Sequence, residues 1–444
     1  MKQSGFLIAL LYLSSVLLPA QSADYAQHDK MEWFRDAKLG IFIHWGIYSV
    51  YGISESWSFF NNYLSHEEYL KQLEGFTAER YNPEYWAQMI RDAGAKYAII
   101  TSKHHDGFAL WDAGKGSLNA AEHAAAGRDL LTPFVNAIRE QDLKVGLYYS
   151  LPDWSYEDYT QNTRTVTRYR VNEDPLRWEK FLDYYQGQLK ELLKRYNPDI
   201  WWFDGDWEHS GEEWQVDEVR SMLLEKNPQA ILNSRLQGKG DYETPEQGPP
   251  VVRPAAKYWE LCLTMNDSWG FQHNDHNYKT PGQVIEIFTD CVSKGGNLLL
   301  DIGPKADGTL PEKQEYILKE LGKWTGKHGE AIYGTRGGIP YEHFFGPTSL
   351  SPDSTVLYLF VKGNENGQLT LKGISNQINR IWVVGNGTML NYEISSKAYW
   401  SKYPGLVYVD LPESVLDPYM TVIAVLLDGP VKLYRETTGV IESN

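Results

Sequence analysis

Histidine, carboxylate and aromatic residues recur in this chain where short apolar runs end. His44-Trp45-Gly46 closes the run from Leu39, Lys103-His104-His105-Asp106-Gly107-Phe108 follows the run Tyr97 to Thr101, and Tyr148-Tyr149-Ser150 ends the run from Lys144, with Asp153 and Trp154 beyond. Trp201-Trp202-Phe203-Asp204-Gly205-Asp206-Trp207 ends the run from Ile200, and Asn233-Ser234-Arg235 ends the run from Ala230. Asp241-Tyr242-Glu243-Thr244-Pro245-Glu246 then leads toward Trp259-Glu260. Each piece alone has a structural reading: His44 as a hydrogen-bonded histidine, His104-His105 as a strand cap, Asp204-Gly205 as a turn pair. A hydrophobic core, however, has no use for His, Asp, Glu and Arg at equivalent depths in six successive runs. Two chemistries use such a set. A metal-dependent hydrolase would take His44, His104, His105 and Asp204 as ligands. Against it, no HxH or HExxH spacing occurs, and adjacent histidines on a strand point to opposite faces, so both are not expected to reach one ion. Glycoside hydrolysis needs two carboxyl groups across the scissile bond, one ionised and one protonated. Asp204 is the expected nucleophile, because it ends a buried run walled by Trp201, Trp202 and Trp207, where histidine donors keep it charged and hold sugar hydroxyls.

Such residues converge only if the runs are neighbouring strands. Seven runs read as strands buried on both faces: Leu39 to His44, Tyr97 to Thr101, Lys144 to Ser150, Ile200 to Asp204, Ala230 to Arg235, Trp259 to Leu263 and Asn297 to Ile302. Helix signals fall between them. Asn82 caps a helix with Pro83 at its first position, an apolar stripe of Trp86, Met89, Ile90 and Ala93, and Gly94 at its end. Asp129 caps the next; further helices are expected over Leu176 to Tyr196, Gln283 to Ser293 and Pro311 to Trp324. This alternation predicts an α/β fold, a (β/α)8-like barrel with seven legible strands and a weak, irregular eighth. After Tyr341 the period changes. Val356 to Lys362, Gln368 to Lys372, Asn379 to Val384, Leu406 to Leu411 and Met420 to Leu427 read as the strands of a C-terminal β-sandwich, with Phe345 to Ser354 as linker. The expected domains are a signal peptide over 1–23, a catalytic barrel over 24–345 and a β-sandwich over 346–444.

Composition narrows the partners. Over 444 residues the formal net charge is −16 with no basic run, so neither nucleic acid nor an anionic membrane is expected as a partner. Sixteen Trp and 30 Tyr suit a cleft that stacks on sugar faces. Lys2, an apolar run from Phe6 to Leu18 and the small residues Ala20, Ser22 and Ala23 read as a secretory signal peptide, too short to span a bilayer. Export implies a secreted or periplasmic protein, lysosomal in a eukaryote. Cys262 and Cys291 sit in apolar segments and are expected as buried free thiols, a single disulfide being the alternative in an exported chain.

Six stretches carry a resemblance. Ile41 to Gly46, Lys103 to Phe108, Trp202 to Trp207, Gly240 to Glu246, Ser268-Trp269-Gly270-Phe271 and Ser293-Lys294-Gly295-Gly296-Asn297-Leu298-Leu299-Leu300 together resemble the α-L-fucosidases of glycoside hydrolase family 29 over roughly residues 30 to 335. The resemblance implies a retaining exo-hydrolase that removes terminal α-L-fucose from an oligosaccharide or glycoconjugate through a covalent glycosyl-enzyme, with no metal or other cofactor. It implies Asp204 as nucleophile, His44, His104 and His105 on fucose hydroxyls, and Tyr149, Trp202 and Arg235 lining the pocket. Glu55 is a further binding candidate, although this chain inserts Ser56 between Glu55 and Trp57, where the family usually has Glu next to Trp. Two residues compete for the acid/base. Glu246 is preferred, because it lies on a loop past strand five and matches the position used by several family members. Glu260 begins a strand and reads more naturally as structural. A barrel that binds carbohydrate without catalysis is a further alternative, against which stands the presence of Asp204 with Glu246 and Glu260.

Overall fold

The computed structural model describes residues 30–435 apart from 115, 364–366, 398 and 401, so the expected signal peptide lies outside the described residues. Seven apolar runs form parallel strands: β1 Leu39–Ile43, β2 Tyr97–Lys103, β3 Lys144–Ser150, β4 Ile200–Asp204, β5 Ile231–Leu232, β6 Glu260–Thr264 and β7 Asn297–Ile302. Their order in the sheet is β5-β4-β3-β2-β1-β7-β6. Because strand side chains alternate, each strand feeds two cores. Phe42, Tyr97, Tyr148, Trp202, Cys262 and Leu299 pack inside the curl. Ile41, Ile43, Leu147, Tyr149, Trp201 and Phe203 pack outward in the main core, where the helices lie.

The gap between β5 and β6 is closed by residues 241–247. On one side Asp241 N donates to Leu232 O (2.7 Å) and Ser234 N to Tyr242 O (2.9 Å). On the other, Glu260 N donates to Glu243 O (2.9 Å), Cys262 N to Pro245 O (3.0 Å) and Gln247 N to Cys262 O (2.9 Å). Isolated parallel bridges Asn233–Tyr242, Glu243–Trp259 and Glu246–Cys262 make this segment the eighth stave. Pro245 offers no N–H to a ladder, which keeps the stave irregular and accounts for its weak sequence signal. Gly240 brings it close to β5: a Cβ there would lie 2.1 Å from Asn233 O.

The helices that hold the strands are α1 Pro83–Asp92, α2 Leu131–Glu140, α3 Pro175–Tyr196, α4 Val216–Lys226, α5 Pro281–Ser293 and α6 Glu312–His328. Asn82 accepts from Tyr85 N, Asp129 from Leu131 N and Thr132 N, and Thr280 with Gln283 forms a reciprocal capping box. One feature goes unannounced by periodicity: a short antiparallel pair, Gln161–Thr163 with Val166–Thr167, leaves the barrel after β3.

The C-terminal strands form two antiparallel sheets. Arg336–Gly337, Thr348–Leu350, Val356–Val361, Thr421–Leu427 and Ile378–Val383 make a five-stranded one, and Gln368–Lys372, Leu406–Asp410 and Tyr392–Ser395 a three-stranded one. Leu357, Leu359, Leu371, Val409, Ile423 and Val425 pack into one shared core, so this is a β-sandwich. The expected linker Phe345 to Ser354 is corrected: its Gly and Pro content reads as a loop, but Thr348–Leu350 is a buried strand paired with both neighbours, and the sheet begins at Arg336, before the expected boundary at 345/346. Helix α6 joins the two parts, with Trp324 Nε1 donating to Met420 O (2.8 Å) and Lys327 meeting Asp417 (2.8 Å). Cys262 and Cys291 are buried and free. Among the described residues no helix is long and apolar enough to cross a membrane.

Candidate active site

Asp204 ends β4 two residues after Trp202, so both face the barrel interior. Gly205 follows with φ 85°, in the left-handed region, and a Cβ there would strike Pro152 at 2.2 Å, so only glycine turns the chain here. Asp204 Oδ2 accepts from the Tyr148 hydroxyl (3.0 Å) and lies 3.5 Å from His105 Nε2; Oδ1 accepts from Arg235 Nη1 (3.0 Å). Burial pushes this carboxyl up, but the His105 hydrogen bond and the Arg235 charge outweigh it and hold Asp204 well below the usual carboxylate range. An ionised oxygen therefore sits at the barrel mouth with its charge already stabilised.

The histidines come from two strand ends. His44 Nδ1 meets Asp301 Oδ1 at 2.7 Å, and burial pushes the imidazole down to about 3, so the ring is neutral near pH 7. His104 Nδ1 meets Ser56 Oγ at 2.5 Å, while Ser56 Oγ also accepts from Asp106 N (2.9 Å). His105 Nδ1 meets Ser150 Oγ at 2.6 Å, and Ser150 donates to Pro152 O (2.7 Å). The expectation that His104 and His105 diverge is corrected: β2 ends at Lys103, the chain turns, and the two rings lie 4.4 Å apart. Among the described residues no group of three His, Cys, Asp or Glu is placed to hold a metal ion.

The two acid/base candidates part company. Arg235 Nη2 donates to Glu246 Oε2 at 2.6 Å, so one guanidinium, lying 4.6 Å over the Trp202 ring, holds Asp204 and Glu246 on its two terminal nitrogens. The Glu246 side chain is 41% exposed, against 11% for Asp204. Glu260 is wholly buried below them. Its oxygens accept from Tyr97 Oη (2.5 Å) and Trp202 Nε1 (3.2 Å), and burial raises its carboxyl to about 7. Glu260 thus fixes the indole beneath Arg235 and has no path to a sugar.

Other expectations shift with strand parity. Tyr149 does not line the pocket: it points to the helices, its hydroxyl on Gln188 Oε1 (2.7 Å), and Tyr148 takes the inward place. Trp201 likewise stacks on Phe203 outside the barrel and does not wall Asp204, whereas Trp207 lies 5.8 Å from His105. Glu55 is buried, accepting from Gly270 N (2.6 Å), and so anchors the loop whose Trp269 lies 5.0 Å from His44. Ser56, Tyr148 and Asp301 complete the site without belonging to the residues its motifs point to. Alternation along β3 and β7 is the available signal for the last two; Ser56 has none, since its partners His104 and Asp106 follow β2, about fifty positions along the chain.

A family model for alpha-L-fucosidase matches residues 17–330. The chain is 32% identical over 368 residues to an alpha-L-fucosidase of Branchiostoma floridae, covering 75% of this chain and 79% of that protein. It is 29% identical over 417 residues to the human tissue alpha-L-fucosidase, covering 86% and 85%. Alpha-L-fucosidase isoenzyme 1 from Paenibacillus thiaminolyticus superposes with a TM-score of 0.81 at 32% identity, over 91% of this chain and 100% of that one. A Bacteroides thetaiotaomicron alpha-L-fucosidase, solved as a trapped covalent intermediate with 2-fluoro-fucosyl fluoride, superposes with a TM-score of 0.78 at 27% identity, over 90% and 96%.

Proposed function

The chain belongs to the alpha-L-fucosidase family, and from that premise we propose that Asp204 is its nucleophile and Glu246 its acid/base. The protein is a retaining glycosidase that removes α-L-fucose through a covalent glycosyl-enzyme. One observation carries the assignment: a single guanidinium, Arg235, holds two carboxyl groups at the barrel mouth, and the rival Glu260 is sealed beneath it. In the first step Asp204 attacks the anomeric carbon while Glu246 gives its proton to the departing oxygen. In the second, Glu246 takes a proton from water, which attacks the same carbon and returns Asp204 as the carboxylate. To serve as acid, Glu246 must be protonated and turned from Arg235 toward the glycosidic oxygen, a movement its 41% side-chain exposure leaves open. His44, His104 and His105 hold the fucose hydroxyls, Trp202 is the floor and Arg235 orients the nucleophile.

The reading is tested with a panel of aryl glycosides, α-L-fucoside, β-D-galactoside and α-L-galactoside, followed by NMR of the first-formed sugar. Hydrolysis of the fucoside with α-fucose appearing first is expected; β-fucose at early time sinks the retaining assignment. We further propose that the substrates are fucosylated oligosaccharides or glycoconjugates, and that the chain is exported through residues 1–23, to the periplasm or cell exterior or, in a eukaryote, the lysosome. The Lys2, apolar and small-residue pattern supports export. An N-terminus near residue 24 on the protein recovered from its cell checks it, and an uncleaved Met1 refutes it.

A further inference from the structure

Trp207 marks where the fucose pocket opens outward. Its ring stacks on Trp57 at 6.4 Å and still leaves the residue 54% exposed. Beyond it lies a groove of 580 Å³, within the about 300–1,000 Å³ of ligand sites, between the segment following β4 and the hairpin that follows β3. Phe60, Arg164, Arg170 and Trp207 are on its walls. We propose that this groove receives the sugar from which fucose is cut and that Arg164 and Arg170 select an anionic substituent on it, a sulfate ester or a carboxylate; this rests on Asp204 being the nucleophile.

Position, rigidity and charge carry the argument. A fucose bonded through the carbon that Asp204 attacks must direct its leaving group out of the pocket, and the groove begins three residues along the chain, at Trp207. The hairpin is already fixed. Arg168 spends its guanidinium on the carbonyls of Trp154 (2.9 Å), Tyr159 (3.2 Å) and Gln161 (2.7 Å), and Arg164 N donates to Phe60 O (2.8 Å). A ligand therefore finds the backbone of this wall pre-organised, with the Arg164 and Arg170 side chains exposed upon it. The groove's two carboxylates are occupied, Glu208 by Trp154 Nε1 (2.9 Å) and the Tyr159 hydroxyl, Glu213 by Ser210 (2.9 Å) and His209 (3.6 Å). Its cations are not. The Arg170 guanidinium has no partner among the described residues, and Arg164 has one contact, 3.5 Å from Asn61 Oδ1. In a chain of net charge −16, where carboxylates to pair with are plentiful, two arginines left open on one rigid groove are placed for an anion from outside. Their planar forks match the paired oxygens of sulfate or carboxylate.

The test compares kcat/KM on 4-nitrophenyl α-L-fucoside, a neutral fucosylated disaccharide, and that disaccharide carrying a sulfate ester or, separately, a carboxylate on the sugar next to fucose. The wild type is expected to prefer at least one anionic disaccharide by about tenfold at low salt, with the preference fading as salt is added. Arg164→Gln with Arg170→Gln should abolish that preference, leaving the neutral disaccharide within about twofold. Equal rates on neutral and anionic disaccharides, or a double variant that slows every substrate alike, overturns the proposal. Which anion is preferred identifies the ligand, and a wild type inert on the aryl fucoside would indict the proposed activity instead.

Discussion

Asp204 is charged in surroundings that oppose charge, and the opposition is overcome by three donors on three different elements, Tyr148, His105 and Arg235. A covalent mechanism needs this, since the nucleophile must be ionised when substrate arrives. Asp204→Gly should therefore lower turnover by at least about 10³-fold, with azide restoring part of it on an activated fucoside as the β-fucosyl azide. Near-wild-type turnover in that variant removes Asp204 from the role. Glu246 is tested by leaving group. A general acid matters to a poor leaving group and little to one that departs as an anion. Glu246→Ala should thus slow oligosaccharides far more than a dinitrophenyl fucoside, and azide should now trap the intermediate as the α-fucosyl azide. If Glu260→Ala shows that pattern in its place, the two roles are exchanged.

The element that decides the site is the eighth stave. Residues 241–247 hydrogen-bond to β5 on one side and β6 on the other, and Glu246 is opposite Cys262 on β6. Its approach depends on Gly240, where any side chain meets the backbone of Asn233 and Ser234. Gly240→Ala should push the stave outward, cost about 1–3 kcal/mol of stability and misplace Glu246. A displacement near 1 Å at a reacting group is worth about 10²-fold in rate, so kcat/KM on oligosaccharides should fall by roughly that factor, and much less on a dinitrophenyl fucoside. Equal losses on both substrates would mean that the stave positions Asp204 rather than Glu246.

Across the whole molecule, the barrel keeps an ionisable group in its dry interior, and this couples stability to pH. Burial raises Glu260 from 4.5 to about 7, so between those values the folded protein holds a proton that the unfolded chain has lost. The stabilisation from this group is full below pH 4.5 and lost as pH rises toward 7, a change of about 3 kcal/mol at 1.36 kcal/mol per pH unit. Glu260→Gln keeps an acceptor for Trp202 Nε1 and has no charge to bury. The fall of Tm between pH 5 and 7.5 should be smaller in this variant than in the wild type by roughly that free energy. Parallel Tm curves would show that Glu260 is ionised in the fold.

Strand content, the order of barrel and sandwich, and the residues at the strand ends were legible in the sequence because apolar runs, caps and turns are local signals. His44, His104, His105, Asp204 and Arg235 meet at one mouth because each follows or ends a strand of one parallel sheet, and parallel neighbours end at the same face. Side-chain direction was legible only where alternation was followed through. Tyr148 and Tyr149 are equally aromatic neighbours, and the pairing of β3 with β4, Tyr148 against Trp202, sets which one faces Asp204. Contacts between segments distant in the chain were not legible at all. Ser56 reaches His104, Asp301 reaches His44 across 257 positions, and Thr348–Leu350 becomes a strand through its partners. The same holds for the acid/base. Sequence offered Glu246 and Glu260 as carboxyls near a barrel mouth, and only closure of the barrel put one in solvent on Arg235 and the other beneath it, because depth in a barrel is a property of the closed sheet and not of any one strand.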